Sequence, residues 1–219
     1  MLCDAAFWEP AALPGSHVAS YGDADSIDAM AERVLADAPE RFLLAGHSMG
    51  GRVAQEIVRR APQRVAKLAL IGTDYRGPSG DEAPGRAALL EEARALGWDG
   101  FARRWAVENV APHRAGDQML ISRIARMVAR QSFATLAAQS LAGLGRRDYA
   151  ELLPRIACPV LVVAGDSDRL RPVETHRDMA RHVPDGRLAV LGGCGHMAAL
   201  EQPQALAAVM GAWAGPGFF

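Results

Sequence analysis

The chain has 219 residues, of which 50% are hydrophobic and 22% are charged, and its formal net charge is −1. This length and composition predict one well-buried globular domain and give no electrostatic reason to expect nucleic acid or a membrane surface as a partner. The three cysteines lack metal-type spacing, which favours a reduced, cytoplasmic protein, and no apolar run reaches the roughly 18 residues that a membrane span needs.

The first 40 residues contain one clear helix. Residues 17–21 have the pattern of a short strand, which Gly22 closes. Asp25 or Ser26 then caps a helix that Pro39 ends. The apolar face of this helix recurs at helical spacing and consists of Ile27, Met30, Ala31, Val34, Leu35 and Ala38.

A strand, a sharp turn and a helix follow one another over residues 41–61. The apolar run at 42–45 predicts a buried parallel strand, and helical periodicity continues from Arg52 to Pro62. Between them stands Gly46-His47-Ser48-Met49-Gly50, a serine with glycine on both sides. In this context Gly-x-Ser-x-Gly predicts a nucleophile elbow, because the glycines permit close backbone approach and the turn lifts the serine hydroxyl above the sheet edge.

The next segments predict a parallel sheet interrupted by a helical insertion. Residues 65–72 form a second apolar run, and strand, helix and strand with short links favour an α/β fold with a mostly parallel sheet flanked by helices. From Tyr75 onwards only helical periodicity appears, in three stripes at 89–96, 120–128 and 133–144. We therefore expect an α/β core of residues 1–75 and 154–219 and a helical insertion at 76–153. The insertion forms either a cap over the active site or extra packing on a sheet edge.

The sheet pattern resumes after this insertion. A strand at 159–164 precedes a helix at 173–182, a strand at 187–191 and a last helix at 203–213. The end of the chain, from Gly215, is expected to fray. Arginine pairs such as Arg146-Arg147 are expected on solvated helix faces.

Ser48 requires a base, and the base requires an acid that orients it. Asp168 follows the strand at 159–164, and His196 follows the strand at 187–191. Both residues therefore stand at carboxyl ends of predicted strands, the same sheet edge as Ser48. The chain order Ser, Asp, His is the order of the α/β-hydrolase triad and differs from those of chymotrypsin and subtilisin.

These motifs resemble the α/β-hydrolase superfamily over nearly the whole chain. Besides the elbow, Gly165-x-x-Asp168-x-x-x-Pro172 resembles the family's acid loop. Gly195-His196-Met197, followed by Leu200-Glu201-Gln202-Pro203, resembles its histidine loop. The resemblance implies an α/β-hydrolase fold with a helical cap at 76–153 and a catalytic triad of Ser48, Asp168 and His196.

Other residues compete for these roles. Asp166 and Asp74 also follow predicted strands and are alternative acids. His47, in the elbow, is expected to pack or to support the site, and Cys194 is expected to be a small buried filler. The remaining histidines are expected on the surface: His17, His113, His176 and His182.

At the oxyanion hole the sequence departs from the family. The backbone N–H of Met49 supplies one donor, but no His-Gly or Pro-Gly pair precedes the elbow to supply the second. The opening Met1-Leu2-Cys3-Asp4, with Trp8, resembles the residues that directly follow Pro-Gly in some members, which implies a second donor at Met1 or Leu2. In the family's sheet a central strand leads into this loop, and this sequence has no residues for that strand ahead of Met1. We therefore expect Met1 to be an internal methionine of a longer working protein.

The resemblance implies a serine hydrolase that cleaves a small or medium, largely apolar carboxylic ester through an acyl-enzyme, with water as the second substrate and no metal or organic cofactor. Four residues of the insertion are expected either to line the substrate pocket or to form the core of the cap: Trp98, Trp105, Met127 and Phe133. The alternative activities are those of a lactonase, a thioesterase, a carbon–carbon bond hydrolase or a cofactor-free perhydrolase. A truncated, non-catalytic remnant is the alternative from another class. The sequence leaves the oligomeric state open.

Overall fold

Four parallel strands form the sheet, in the order in which they occur along the chain. They are β1 (Phe42–His47), β2 (Val65–Ile71), β3 (Val160–Gly165) and β4 (Gly186–Leu191). The structure, a computed structural model, describes residues 1–216, so the predicted fraying of residues 217–219 lies outside it. The parallel pairing confirms the α/β fold predicted from the alternation of strands and helices.

Helices cover both faces of this sheet. In the described residues they are α1 (Ala5–Trp8), α2 (Ile27–Asp37), α3 (Met49–Arg60), α4 (Glu82–Asn109), α5 (Gln118–Ala129), α6 (Phe133–Leu144), α7 (Val173–His182), α8 (Ala198–Glu201) and α9 (Pro203–Ala214). Successive side chains of a strand point to opposite faces, so Leu70 and Val162 pack against α2, α3 and α7. Ile71 and Val163 instead pack towards α1, α4, α5, α8 and α9. The result is a helix–sheet–helix arrangement with a hydrophobic core on each face.

The strand predicted at 17–21 is wrong. Residues 17–21 have no regular secondary structure, and among the described residues β1 forms one edge of the sheet, with Leu43 44% exposed. Residues 17–21 therefore have no neighbouring strand with which to exchange ladder hydrogen bonds. The helix that follows is confirmed, and Ser26 rather than Asp25 caps it, since the Ser26 side chain accepts from the N–H of Ala29.

The insertion consists of α4, α5 and α6, whose apolar stripes pack together. Gly97 leaves the helical conformation with φ +67°, which confirms the predicted stop, but helix resumes at once and continues to Asn109. This second half of α4 was not predicted. No helix within residues 1–216 combines the length and the apolar character needed to cross a bilayer.

Candidate active site

Ser48 occupies the turn between β1 and α3 in a strained conformation. Its φ is +53° and its ψ is −113°, in the left-handed half of backbone space that non-glycine residues rarely enter. A Cβ on Gly46 would lie 2.2 Å from the carbonyl oxygen of Gly50, so the crossing of the two backbones requires glycine. Hydrogen bonds on both sides of the residue stabilise this strained conformation. Ser48 N–H donates to the Ile71 carbonyl at 2.9 Å, and the Thr73 hydroxyl donates to the Ser48 carbonyl at 2.7 Å.

A chain of two hydrogen bonds joins Ser48 to a buried carboxylate. His196 Nε2 lies 3.0 Å from Ser48 Oγ, and His196 Nδ1 lies 2.8 Å from Asp168 Oδ2. The other Asp168 oxygen accepts the N–H groups of Leu170 and Arg171 at 2.8 and 3.0 Å. Burial favours the neutral acid, but His196 and these N–H groups outweigh it and lower the pKa of Asp168. The carboxylate therefore accepts Nδ1–H and leaves the Nε2 lone pair facing the serine hydroxyl.

The two alternative acids have other partners. The Asp74 carboxylate pairs with the Arg76 guanidinium at 3.0 Å, and also accepts the N–H of Tyr75. Asp166 accepts the hydroxyl of its neighbour Ser167 and a backbone N–H of the histidine loop. The hydrogen bond to His196 Nδ1 thus favours Asp168 among the three candidates.

A buried carboxylate that had no predicted role organises the loop around His196. Glu201, 4% exposed, accepts the N–H of Gly195 at 3.1 Å, of Met197 at 3.0 Å and of Ala111 at 2.8 Å. The Leu-Glu-Gln-Pro run had marked this segment, but sequence alone did not show where the carboxylate points. Glu201 therefore fixes the backbone on both sides of His196 and ties it to the end of the helical insertion.

Two further histidines support the site. His47 stacks on Phe7 with ring centroids 4.3 Å apart, and its Nε2–H donates to the His196 carbonyl at 2.7 Å. Burial, and then the repulsion that a protonated His196 ring would exert, hold the pKa of His47 well below its usual value, so His47 is neutral. The surface position predicted for His176 is wrong, because its ring is fully buried and accepts from Thr73 N–H while facing the carbonyl of Pro172. His176 thereby connects the end of β2 to the acid loop.

Two of the three residues predicted at the oxyanion hole lie beside Ser48. Met1 and Met49 line a recess together with Ser48, and Met49 N–H begins α3. The N–H of Leu2, a residue with φ +57°, donates to the side-chain oxygen of Gln139 at 2.8 Å. In this conformation the Leu2 N–H is therefore engaged by α6 and not directed at an empty position.

The recess is polar, in contrast to the apolar pocket expected from the sequence. Its remaining lining residues are Arg52, Arg86, Gly143, Arg146 and Arg171. Arg146 had been expected on a solvated helix face, but it is 6% exposed and pairs with Glu82.

The four residues proposed to line an apolar pocket lie elsewhere. Trp105 and Met127 are buried in the core that the insertion forms with the sheet, and Trp98 stacks on Phe101 at 5.4 Å. Phe133 lies under the guanidinium of Arg94 at 4.6 Å. These four side chains therefore pack within the helical insertion and do not line the recess beside Ser48. Their positions favour the alternative that they form the core of the cap.

The comparisons with known proteins agree with this fold and place the chain in a family. The sequence profile of the alpha/beta hydrolase family matches residues 9–209, so the chain belongs to that family. A pimeloyl-[acyl-carrier protein] methyl ester esterase from Aromatoleum aromaticum is 29% identical over 215 residues, which cover 88% of this chain and 81% of that protein.

Two other proteins extend the comparison. A 2-hydroxy-6-oxononadienedioate/2-hydroxy-6-oxononatrienedioate hydrolase from a Pseudomonas species is 30% identical over 172 residues; the match covers 74% of this chain but only 59% of that protein's length. Among solved structures, a thermophilic esterase from Thermogutta terrifontis superimposes with a TM-score of 0.83 and 25% identity, over 97% of this chain and 85% of that one.

Proposed function

We propose that this protein is a serine esterase that cleaves a small carboxylic ester with Ser48 as nucleophile, His196 as base and Asp168 as the acid that orients the base. The observation that carries the proposal is the continuous hydrogen-bond chain from Ser48 Oγ through both nitrogens of His196 to Asp168. A strained serine at the start of a helix, in reach of an imidazole that a carboxylate orients, is the arrangement that activates a hydroxyl for attack on a carbonyl. The esterases among its relatives support the same reaction.

The reaction takes place in two stages. Ser48 Oγ attacks the ester carbonyl carbon while its proton passes to His196 Nε2, and Asp168 stabilises the imidazolium that results. When the tetrahedral intermediate collapses, the carbon–oxygen bond to the alcohol breaks and the alcohol leaves with the proton from His196. Water then attacks the acyl-Ser48 ester, gives its proton to His196, and the carboxylic acid leaves as the proton returns to Ser48.

The negative oxygen of each tetrahedral intermediate requires hydrogen-bond donors. Met49 N–H is suited to this role, because it follows the nucleophile directly and lies at the positive end of α3. We assign the second donor to the Leu2 N–H, which exchanges its bond to Gln139 Oε1 for the oxyanion when substrate is bound. Met1 borders the same recess and helps to shape it.

We also propose that the insertion of residues 76–153 acts as a cap. Arg86 at the start of α4, with Gly143 and Arg146 at the end of α6, faces the same recess as Ser48. The recess as it stands has only about 30 Å³ of free volume, room for a water molecule and not for an ester, so the cap must move away from the core before a substrate reaches Ser48.

Hydrolysis of 4-nitrophenyl acetate and butyrate tests the proposal. We expect turnover by the 219-residue chain and a loss of at least about 10³-fold in Ser48→Ala, since oxyanion donors alone retain only a small share of the rate. Ser16→Ala, at an exposed serine, is the matched control and should keep the full rate. A Ser48→Ala variant that is as active as the original protein would overturn the assignment of the nucleophile.

A further inference from the structure

Four arginines from four separate parts of the chain line the recess beside Ser48. Arg52 comes from α3, Arg86 from α4, Arg146 from just beyond α6, and Arg171 from the acid loop. Within residues 1–216, Arg146 is the member of these four arginines that pairs with a carboxylate, that of Glu82. Counting that pair as neutral, the recess retains three positive charges next to the proposed nucleophile.

Arg146 differs from the other three because its hydrogen-bonding capacity is used within the fold. Its five donor positions reach the carbonyls of Arg76, Gly77 and Gly143 and both oxygens of Glu82. Such an arginine holds the two ends of the insertion together and has no donor left for a ligand.

Arg52, Arg86 and Arg171 have most of their donors free. Arg52 gives one bond, to the Arg76 carbonyl, Arg86 one to the sulfur of Met1, and Arg171 one to the Leu170 carbonyl. Within residues 1–216 none of the three has a carboxylate oxygen within 4 Å. Each therefore retains donors that no carboxylate accepts, although the charge of Glu82 acts on Arg86 and the charges of Asp74 and Glu82 act on Arg52.

Arg52 is the most deeply buried of the three arginines. It is 5% exposed, and burial and then the neighbouring Arg146 and Arg171 lower its pKa to about 9, which still leaves it charged at neutral pH. Burial, together with Arg171 and Arg146, likewise lowers the pKa of Arg86 against the opposing effect of the Glu82 carboxylate. A fold rarely buries like charges together without a partner, because the desolvation and repulsion both oppose folding. A bound anion removes this cost.

We propose that the ester cleaved at Ser48 carries an anionic group, a carboxylate or a phosphate, which the guanidinium groups of Arg52, Arg86 and Arg171 bind. This inference rests on the proposed esterase function and replaces the largely apolar substrate that the sequence indicated. Guanidinium groups fit carboxylate and phosphate oxygens in pairs, and a positive recess also attracts anionic substrates before they bind. The cap and the core each supply part of the site, so binding of the anion draws the two together.

The test compares esters that differ in charge but not in length. The substrates are mono-4-nitrophenyl glutarate, its neutral methyl ester, and 4-nitrophenyl 4-phosphonobutanoate, each assayed for kcat/KM at low and high salt. We expect at least one anionic ester to exceed the neutral ester by tenfold or more, with a ratio that falls as salt screens the charges. The better of the two anions distinguishes a carboxylate from a phosphate site.

Three variants assign this preference to the recess. Arg52→Gln, and independently the half-exposed Arg171→Gln, should bring the ratio of anionic to neutral kcat/KM close to one. Arg41→Gln removes the same charge from the opposite end of the sheet and should leave the ratio unchanged. Glutarate should also raise the Tm of the unmodified protein and not that of Arg52→Gln, a measurement that needs no turnover.

The outcomes separate this inference from the proposed function. If the neutral ester is cleaved as efficiently as both anionic esters, the anion site is wrong and the esterase stands. An anionic preference that persists in both Arg52→Gln and Arg171→Gln also overturns the site. If the folded protein cleaves none of the three esters and glutarate leaves its Tm unchanged, both proposals fail.

Discussion

Glu201 holds the backbone on both sides of His196, accepting the N–H of Gly195 at 3.1 Å and that of Met197 at 3.0 Å. The same carboxylate reaches Ala111 N–H at 2.8 Å, so one buried side chain fixes the base of the proposed triad in place against the insertion. A Cβ on Gly195 would lie 2.2 Å from the Ala111 nitrogen, which shows how closely the two segments pack.

Replacing this carboxylate by an amide should weaken both the fold and the activity. In Glu201→Gln the amide NH₂ meets backbone N–H donors, so at least one buried donor loses its acceptor at a cost of about 1–3 kcal/mol. We expect the free energy of unfolding to fall by about 1–3 kcal/mol in urea titrations, and kcat to fall at least about tenfold because His196 is less well placed. Glu174→Gln, at an exposed position on α7, is the control and should change neither quantity. An unchanged kcat in Glu201→Gln would mean that His196 needs no such support.

The acid of the triad can be tested without changing the shape of the site. Asp168→Asn keeps the size of the side chain but presents a neutral amide to His196 Nδ1, which permits the wrong imidazole tautomer. We expect kcat for 4-nitrophenyl butyrate to fall by about 10³–10⁴-fold with a small change in KM. Asp74→Asn and Asp166→Asn serve as controls, since neither carboxylate contacts His196. A larger loss in either control would move the acid to that residue.

The acid stability of the protein should depend on Glu56, which lies one turn after Arg52 on α3. Burial favours the neutral form of Glu56, but hydrogen bonds from Arg59, Arg60 and Tyr149 outweigh it and lower its pKa from 4.5 to about 2. Between these two values the unfolded chain binds a proton that the folded protein does not, so this contribution to stability is complete above about pH 4.5 and is lost as pH falls towards 2.

Urea titrations from pH 6 to pH 2.5 measure this dependence. The unmodified protein should lose stability steeply below about pH 4.5, whereas Glu56→Gln, which has no carboxyl to titrate, should be less stable at pH 6 but vary less with pH. Glu40→Gln, at an exposed glutamate, should retain the steep dependence. Parallel curves for Glu56→Gln and the original protein would show that other groups govern the acid limit.

The parts of this structure that the sequence predicts are those that depend on neighbours along the chain. The elbow, the helix at Val173–His182 and the positions of the four sheet strands along the chain follow from local periodicity and from glycine positions, and the structure has them where they were expected. The strand at 17–21 was wrong because a strand needs a partner, which periodicity does not reveal. The convergence of Arg52, Arg86 and Arg171 is a tertiary feature: each reads as a solvated helix or loop residue until the fold brings them together.

The hydrogen bond between Gln139 Oε1 and Leu2 N–H provides the last test, because stability and catalysis should respond to it in opposite ways. In Gln139→Met the buried Leu2 N–H has no acceptor before substrate binds, so the free energy of unfolding should fall by about 1–3 kcal/mol. The oxyanion, however, no longer competes with the amide oxygen for the Leu2 N–H, so kcat should stay constant or rise.

The variant Gln139→Glu should lower kcat at least about tenfold, because a carboxylate holds the Leu2 N–H more firmly and repels the developing negative charge. Gln204→Glu adds the same charge at an exposed position and should leave kcat unchanged. If Gln139→Glu keeps the full kcat, the Leu2 N–H does not serve the oxyanion, and the second donor must come from another group beside Ser48.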